Sequence, residues 1–169
     1  MPSIKLPDGT KKSFKNNISG MEIAESISKS LAKEAIAIKV NGVIQDLNLE
    51  INSNSDIEII KKNSEDGLEI IRHDAAHVMA EAVKELYPGV QVTIGPPIEN
   101  GFYYDFSKKD PFTPEDLIKI EKKMLEIINR NETFEREVWS RKKAEQFFKK
   151  NNENYKLEII KEIPKKEDL

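Results

Sequence analysis

The amino-acid sequence predicts an α+β fold made of two small units in succession. In residues 3–62, paired strand signals stand on either side of one helical pattern. A polar stretch at 61–64 follows, and beyond it come a longer helical pattern, a proline-rich segment and further strand and helix signals. These features predict domains at residues 1–62 and 63–169.

The first unit begins with a predicted β-hairpin and one helix. Residues 4–14 alternate apolar and polar side chains around a Pro-Asp-Gly turn at 7–9. Ser19 and Glu22 have the spacing of a capping box, which marks a helix start. The apolar stripe of this helix is predicted at Ile23, Ala24, Ile27, Leu31 and Ala35.

The rest of the first unit is predicted to be β-structure. Alternating apolar residues at 36–40 lead into Asn41-Gly42, a dipeptide typical of tight hairpins, and Val43-Ile44 restarts a strand. A last strand at Ile57–Ile60 closes the unit. This order of elements predicts one sheet with one helix packed across it, an α+β arrangement of grasp type.

The second unit begins with a helix predicted from Ser64 to Tyr87, where Pro88-Gly89 stops it. The remaining predicted elements are strands at Val90–Ile94 and Gly101–Phe106, a helix from Thr113 to Asn131, a strand at Phe134–Trp139, a basic helix at Arg141–Lys150 and a strand at Lys156–Ile160.

Composition excludes several classes of function. A chain of 169 residues can build two small cores but not a large enzyme. Its 27 basic and 30 acidic residues give a net charge of −3, so contact with nucleic acid has to come from a local surface. The absence of cysteine excludes a thiol nucleophile and a cysteine-ligated metal within these residues. Apolar runs are far shorter than a bilayer span and the start lacks a secretory pattern, which predicts a cytoplasmic protein without membrane attachment.

Two histidines, His73 and His77, lie four residues apart on the first helix of the second unit. That spacing puts them on one helix face, with Cβ atoms ~5–6 Å apart. The apolar stripe is predicted on the opposite side, at Leu68, Ile71, Ala75, Met79, Ala82 and Leu86. Two interpretations stay open: a site for a ligand, a water or half of a metal shell, or two solvated histidines. Ala76 and Ala80 favour a site, because small side chains leave room over the rings for a ligand or a packed strand.

Residues 95–106, Gly-Pro-Pro-Ile-Glu-Asn-Gly-Phe-Tyr-Tyr-Asp-Phe, form a second candidate segment. Spacing alone favours a proline-stiffened loop that leads into a core strand. Tyr104 and Asp105 lie on opposite faces of such a strand, and one of these faces can line a pocket. The basic residues of the later helix are interspersed with glutamates and predict a solvated face; they are Arg141, Lys142, Lys143, Lys149 and Lys150.

Several segments together resemble the amino-terminal region of bacterial threonyl-tRNA synthetases. They are Ile-Lys-Leu-Pro-Asp-Gly at 4–9, Val-Asn-Gly at 40–42, the run at 66–77 that ends in Arg-His-x-x-Ala-His, and Ile-Gly-Pro-Pro-Ile-Glu-Asn-Gly-Phe-Tyr-Tyr-Asp at 94–105. The resemblance covers essentially the whole chain. It implies a ubiquitin-like β-grasp domain, called TGS, followed by most of an α+β editing domain of the kind shared with alanyl-tRNA synthetases.

In that family this region hydrolyses serine that has been attached to threonine tRNA. Serine is threonine without one methyl group, a difference of only ~1–3 kcal/mol in binding, so a second selection step is needed. The resemblance implies that His73, His77 and Lys156 are the catalytic residues of this reaction. It also implies that Tyr104 and Asp105 line the pocket and that the partner is the acceptor end of tRNA(Thr).

The family completes its editing site with a Cys-x-x-x-His segment, which this sequence lacks. We therefore expect an editing domain that is truncated at its carboxyl side and that hydrolyses its substrate weakly or not at all in the 169 residues alone. We expect no cofactor in this chain, with His73 and His77 forming at most half of a metal site. The resemblance assigns ATP, magnesium and zinc binding, and the contacts of a homodimer, to a synthetase core outside this chain. Two alternatives stay open: a non-enzymatic RNA-binding or regulatory module that contains a TGS domain, and a free-standing deacylase of the alanyl type that edits in trans.

Overall fold

The structure, a computed structural model, describes residues 1–133 and 137–164. The chain forms two compact units, of which the first is Met1–Ile71 and the second begins at Arg72. This division falls inside a continuous helix, so the domain limits expected from the sequence, 1–62 and 63–169, stay a prediction. The mixture of helices and sheets confirms the predicted α+β class.

The first unit contains one five-stranded sheet in the order β2-β1-β7-β4-β5 and a separate pair, β3 with β6. Its strands are β1 (Ser3–Lys5), β2 (Lys11–Ser13), β3 (Ile18–Ser19), β4 (Ala35–Val40), β5 (Val43–Asp46), β6 (Glu50–Ile51) and β7 (Ser55–Lys61). The two predicted hairpins are confirmed, since β1 pairs with β2 and β4 pairs with β5, both antiparallel. The parallel pairing of β1 with β7 places the first strand inside the sheet, between β2 and the central strand β7.

The helical segment of this unit is two helices and not the single helix predicted. They are α1 (Gly20–Ile27) and α2 (Lys29–Glu34). Ser28 has extended backbone angles, ends α1 and caps α2, because its side-chain oxygen accepts a hydrogen bond from the Leu31 amide. The predicted capping box of Ser19 and Glu22 is present at the start of α1.

The core of the first unit lies between these helices and the sheet. Ile4, Ile23 and Ile38 are fully buried and Ile57 is 2% exposed. All the buried residues of this core precede residue 62. Since apolar burial is the dominant favourable term in folding, the segment carries its own source of stability.

We expect residues 1–62, expressed alone, to fold. The reason is that the core and the sheet are complete within them. A dispersed amide spectrum with one cooperative urea transition is the expected result. Amide shifts confined to the range of a disordered chain would contradict it.

The second unit begins within α3 (Glu65–Leu86), at Arg72. Its further elements are β8 (Gln91–Val92), β9 (Pro97–Ile98), β10 (Gly101–Phe102), β11 (Phe106–Ser107), α4 (Pro114–Arg130), α5 (Arg141–Lys150) and α6 (Asn154–Glu162). β8 pairs with β11 and β9 pairs with β10, so residues 91–107 run out and back as one irregular hairpin. The core packs α3 against α4 through Val83, Ile120 and Ile127. None of the helices in the described ranges is long and apolar enough to cross a bilayer.

The structure does not contain the strand that was expected at Lys156–Ile160, and it describes only part of the one expected at Phe134–Trp139. The strand predicted at Lys156–Ile160 is wrong, because this segment lies within helix α6. Leu157, Ile160 and Ile163 recur at the three-residue spacing of a helix, and the burial of Ile160 outweighs the β preference of its branched side chain. The strand predicted at Phe134–Trp139 falls partly on residues 134–136, which lie outside the described residues, and residues 137–139 are not in a strand.

Candidate functional site

The two histidines stack against each other on the surface of α3. The centroids of the His73 and His77 rings are 4.7 Å apart and the ring planes differ by 23°. Both side chains are exposed. The shared helix face predicted from their spacing is therefore present, with two imidazoles available to one ligand.

The predicted apolar stripe of α3 is only partly buried. Met79, Ala82 and Leu86 belong to the core, as expected. Leu68 and Ile71, at the start of the stripe, are 41% and 42% exposed, contrary to prediction. Helical periodicity shows which residues share a face, but it does not show how far along the helix that face is covered.

The small residues beside the histidines are covered by protein. Ala76 is fully buried and Ala80 is 6% exposed. Of the two roles expected for them, room for a ligand or for packing, their burial supports packing.

The charge of Lys156 acts on this histidine face. The residue is half-buried and occupies the first turn of α6. Partial burial lowers the pKa of His77 below its usual 6.5, and the charges of His73 and Lys156 lower it further, while Asp74 opposes the change. These effects favour the neutral imidazole, which can accept a proton.

Replacing Lys156 by methionine should raise the pKa of His77. Removing a nearby positive charge makes protonation of the imidazole less costly. The measurement is a titration of the imidazole proton resonances of the 169-residue chain, with Lys161→Met, an exposed lysine in the last turn of α6, as the control. An unchanged or lower pKa in Lys156→Met would contradict the proximity of the two side chains.

Tyr104 packs across the hairpin against Gly95. A Cβ atom built on Gly95 would lie 2.1 Å from the Tyr104 ring, so glycine is what allows the ring to approach the backbone this closely. Tyr104 also stacks on Phe106, with centroids 5.0 Å apart. Burial and the charge of Glu153 raise the pKa of the Tyr104 hydroxyl. Tyr104 is thus a fixed, neutral hydroxyl near the start of α6.

Gly95→Ala should destabilise the chain by ~1–3 kcal/mol, the usual cost of overpacking. The added methyl group would displace the Tyr104 ring. Gly101→Ala is the matched control, because a Cβ there meets no atom within 4 Å and its effect should stay within ~0.5 kcal/mol. Urea unfolding of both variants tests this, and equal midpoints would mean that the close contact is absent.

The side chain of Asp105 is exposed. Its backbone holds the hairpin together instead. The Asp105 amide donates to the Ile94 carbonyl at 3.0 Å, and the Thr93 hydroxyl donates to the Asp105 carbonyl at 2.7 Å. Tyr104 lies between β10 and β11, so the strand predicted at Gly101–Phe106 is interrupted there, and Asp105 helps to fix the connecting segment.

Two residues that the sequence did not single out join α3 to α6. Lys84 donates to the Glu153 carboxylate, which is buried at the start of α6. The only sequence signals for them are the seven-residue spacing of Lys84 from His77 and the three-residue spacing of Glu153 from Lys156. Long-range pairing of this kind cannot be deduced from local pattern.

Arg141 differs from the solvated cation that the sequence predicted. Its guanidinium group donates to carbonyl groups at the end of α6, those of Ile160, Ile163 (2.7 Å) and Pro164 (3.0 Å). Positive charge at a helix carboxyl end satisfies unpaired carbonyls and complements the helix dipole. Arg141 thus fixes α6 at the end away from Lys156.

The described residues contain no group of three histidine, cysteine, aspartate or glutamate side chains arranged to hold a metal ion. His73 and His77 by themselves supply two nitrogen atoms, whereas a structural or catalytic zinc site in proteins uses three or four protein ligands. The two stacked imidazoles, with the charge of Lys156 acting on His77, are groups suited to acid–base chemistry.

Comparison with known proteins identifies the relatives of this chain. Residues 3–61 match the family model of the TGS domain. The chain is 58% identical over 167 residues to a threonine–tRNA ligase of Agrobacterium fabrum, an alignment that covers 99% of this chain and 25% of that protein. It is 55% identical over 167 residues to the threonine–tRNA ligase of Bartonella quintana, covering 99% and 25%. It is 53% identical over 169 residues to that of Parvibaculum lavamentivorans, covering 100% and 26%.

The chain thus spans a quarter of the length of the curated relatives it matches. Its two candidate segments, the histidine helix and the hairpin at 91–107, both lie within the aligned region, because the alignments cover nearly every residue. Residues 3–61 are a TGS domain, and the chain as a whole matches the amino-terminal quarter of bacterial threonine–tRNA ligases.

Proposed function

We propose that this chain is the proofreading region of a threonine–tRNA ligase and that it hydrolyses the ester of serine wrongly attached to tRNA(Thr). The observation that carries the proposal is the stacking of the two histidines on one face of α3. The charge of Lys156, which favours the neutral form of His77, supports it. The similarity to ligases for threonine supports the choice of substrate, since serine is the smaller amino acid that such an enzyme rejects poorly.

The reaction requires a positioned water, a proton acceptor and a donor for the developing negative charge. The water oxygen attacks the ester carbonyl carbon, and an imidazole of the histidine pair, His73 or His77, takes the proton of that water. The ammonium of Lys156 stabilises the oxyanion. The bond from the carbonyl carbon to the ribose oxygen then breaks, the ribose oxygen takes up a proton from Lys156 or the imidazolium, and serine and uncharged tRNA leave.

The aromatic hairpin is proposed to line the pocket for the aminoacyl end. Tyr104 offers a hydroxyl held by Gly95 and Phe106, and Asp105 acts through its backbone. The partner is the acceptor end of tRNA(Thr). Since the net charge is −3, tRNA contact must depend on local surfaces and on the rest of the enzyme.

The ligase reaction itself is assigned to parts of the protein outside these residues. We infer that a synthetase core binds ATP with magnesium and a zinc ion and forms the homodimer. The 169-residue chain should hydrolyse seryl-tRNA(Thr) weakly or not at all, because two imidazoles and one ammonium leave the attacking water with few ligands.

Deacylation time courses with seryl-tRNA(Thr) and threonyl-tRNA(Thr) test the proposal. They should be run on the 169-residue chain and on a full-length threonine–tRNA ligase that carries this sequence at its amino terminus. The expected result is serine-selective hydrolysis by the full-length enzyme and little by the short chain. Equal hydrolysis of seryl-tRNA(Ala) would favour an alanyl-type deacylase, and no hydrolysis by either protein would favour a non-enzymatic RNA-binding module.

A further inference from the structure

Glu153 is a buried acid whose role the proposed mechanism leaves unassigned. The residue is 6% exposed and stands at the cap position of α6. Its side chain does not cap the helix, because no hydrogen bond runs from it to the first-turn amides. One carboxylate oxygen accepts from Lys84, and the other is buried with no hydrogen-bond partner among the described residues.

A buried carboxylate with a single cationic partner is weak as a source of stability. The cost of removing the carboxylate from water offsets much of its attraction to Lys84. Replacing such a pair with apolar side chains is often neutral or stabilising, whereas the geometry that the pair imposes is lost. Its presence here points to a positional role.

The positions of the charged groups on the two helices support this role. His77 and Lys84 are seven residues apart on α3 and therefore share a face, two turns from each other. Glu153 and Lys156 are three residues apart at the start of α6. The Lys84–Glu153 ion pair thus links the two helices three residues before Lys156, whose charge lowers the pKa of His77.

Other contacts also hold α6 at its first residue and at its far end. The amide of Asn154 donates to the side-chain carbonyl of Gln91 at 3.2 Å, and Arg141 binds carbonyl groups at the far end. These contacts fix the axis of the helix at its two ends. Among the described side chains, the ion pair of Glu153 with Lys84 is the direct link from the first turn of α6 to the histidine helix.

We propose that Glu153 is a positioning residue: through its ion pair with Lys84 it sets the first turn of α6 against α3 and so holds the ammonium of Lys156 beside His77. Its effect on catalysis rests on the proposed function. Its effect on geometry does not, and the two can be measured separately.

The geometric test uses the imidazole resonances of the 169-residue chain. The quantity measured is the rise in the pKa of His77 caused by Lys156→Met, which reports how close Lys156 lies to His77. We expect this rise to fall by more than half when Glu153→Gln or Lys84→Met is already present, and to persist in Lys84→Arg, which keeps the ion pair. Any direct effect of the second substitution on the pKa of His77 cancels, because the rise is always measured between two proteins that both carry that substitution.

Lys143→Met is the matched control. Lys143 lies on α5, and its replacement removes an exposed ion pair with Glu137. The rise should be unchanged in that background. An undiminished rise in both Glu153→Gln and Lys84→Met would overturn the proposal. If Glu153→Gln does not fold, Lys84→Met compared with Lys84→Arg gives the same decision, because the Lys84 side chain is 45% exposed and its replacement removes little packing.

The catalytic test uses the full-length enzyme. Glu153→Gln should lower kcat for seryl-tRNA hydrolysis by about tenfold with a smaller change in KM, because the bound ester loses an oriented ammonium. If the coupling of Lys156 to His77 is lost but kcat is unchanged, the positioning role of Glu153 stands and the catalytic role assigned to Lys156 fails. If hydrolysis is absent in the unmutated enzyme, the proposed function fails independently.

Discussion

His73→Ala should slow seryl-tRNA(Thr) hydrolysis by the full-length enzyme by a factor on the order of 10² or more, the usual contribution of a general acid–base group. The same change should alter the free energy of unfolding of the 169-residue chain by less than ~1 kcal/mol, because His73 is exposed and its removal leaves no core cavity. First-order deacylation rates and urea unfolding measure the two effects.

Lys122→Ala, at an exposed position of α4, is the control and should change neither quantity. A loss of several kcal/mol in stability on His73→Ala would reveal a buried structural histidine. An unchanged deacylation rate would remove His73 from the mechanism.

Ile38→Ala should have the largest effect on folding, a loss of ~2–5 kcal/mol. Ile38 is fully buried in β4, and a Cβ built on Gly20 of α1 would come within 2.9 Å of its Cδ1 atom. Helix and strand are already this close, so they cannot approach much further to fill the cavity. Urea unfolding of the 169-residue chain gives the magnitude.

Ile44→Ala is the matched control for Ile38→Ala. Ile44 lies on the neighbouring strand β5 and is 43% exposed, so the same chemical change should cost ~1 kcal/mol or less. Similar losses at the two positions would contradict the core described for the first unit.

Elements that have both a periodic pattern and a start or turn signal in the sequence could be predicted. Thr113 followed by Pro114 marks the start of α4, and Asn41-Gly42 marks the hairpin of β4 and β5, with both residues at positive φ. These signals act within a few residues of chain. The local preferences of cap and turn residues are therefore enough to predict such elements without knowledge of the tertiary packing.

The errors arose where distant contacts decide local structure. The segment from Lys156 to Ile160 is helical because it is packed by Ile160 and held by Arg141 from another helix. The break at Ser28 between α1 and α2 was missed because serine can serve as a helix cap as well as a helix residue. Neither outcome is encoded by periodicity alone.

In the candidate site, too, the local arrangement could be predicted from the sequence and the contacts between distant residues could not. The pairing of His73 with His77 follows from helical geometry, and the structure stacks the two rings. The approach of Lys156 to His77 joins residues far apart in the chain, and it was expected only from a family resemblance. The ion pair of Lys84 with Glu153 had no sequence signal strong enough to predict it.

The most direct test of editing by this region is the amount of seryl-tRNA(Thr) that a full-length threonine–tRNA ligase carrying this sequence accumulates when supplied with serine and ATP. The unmutated enzyme should accumulate little. The His73→Ala/Lys156→Met variant should accumulate seryl-tRNA(Thr) while forming threonyl-tRNA(Thr) at an unchanged rate, because the altered residues act only in hydrolysis. A variant that still clears seryl-tRNA(Thr), or one that loses threonylation to the same extent, would contradict the assignment of editing to this region.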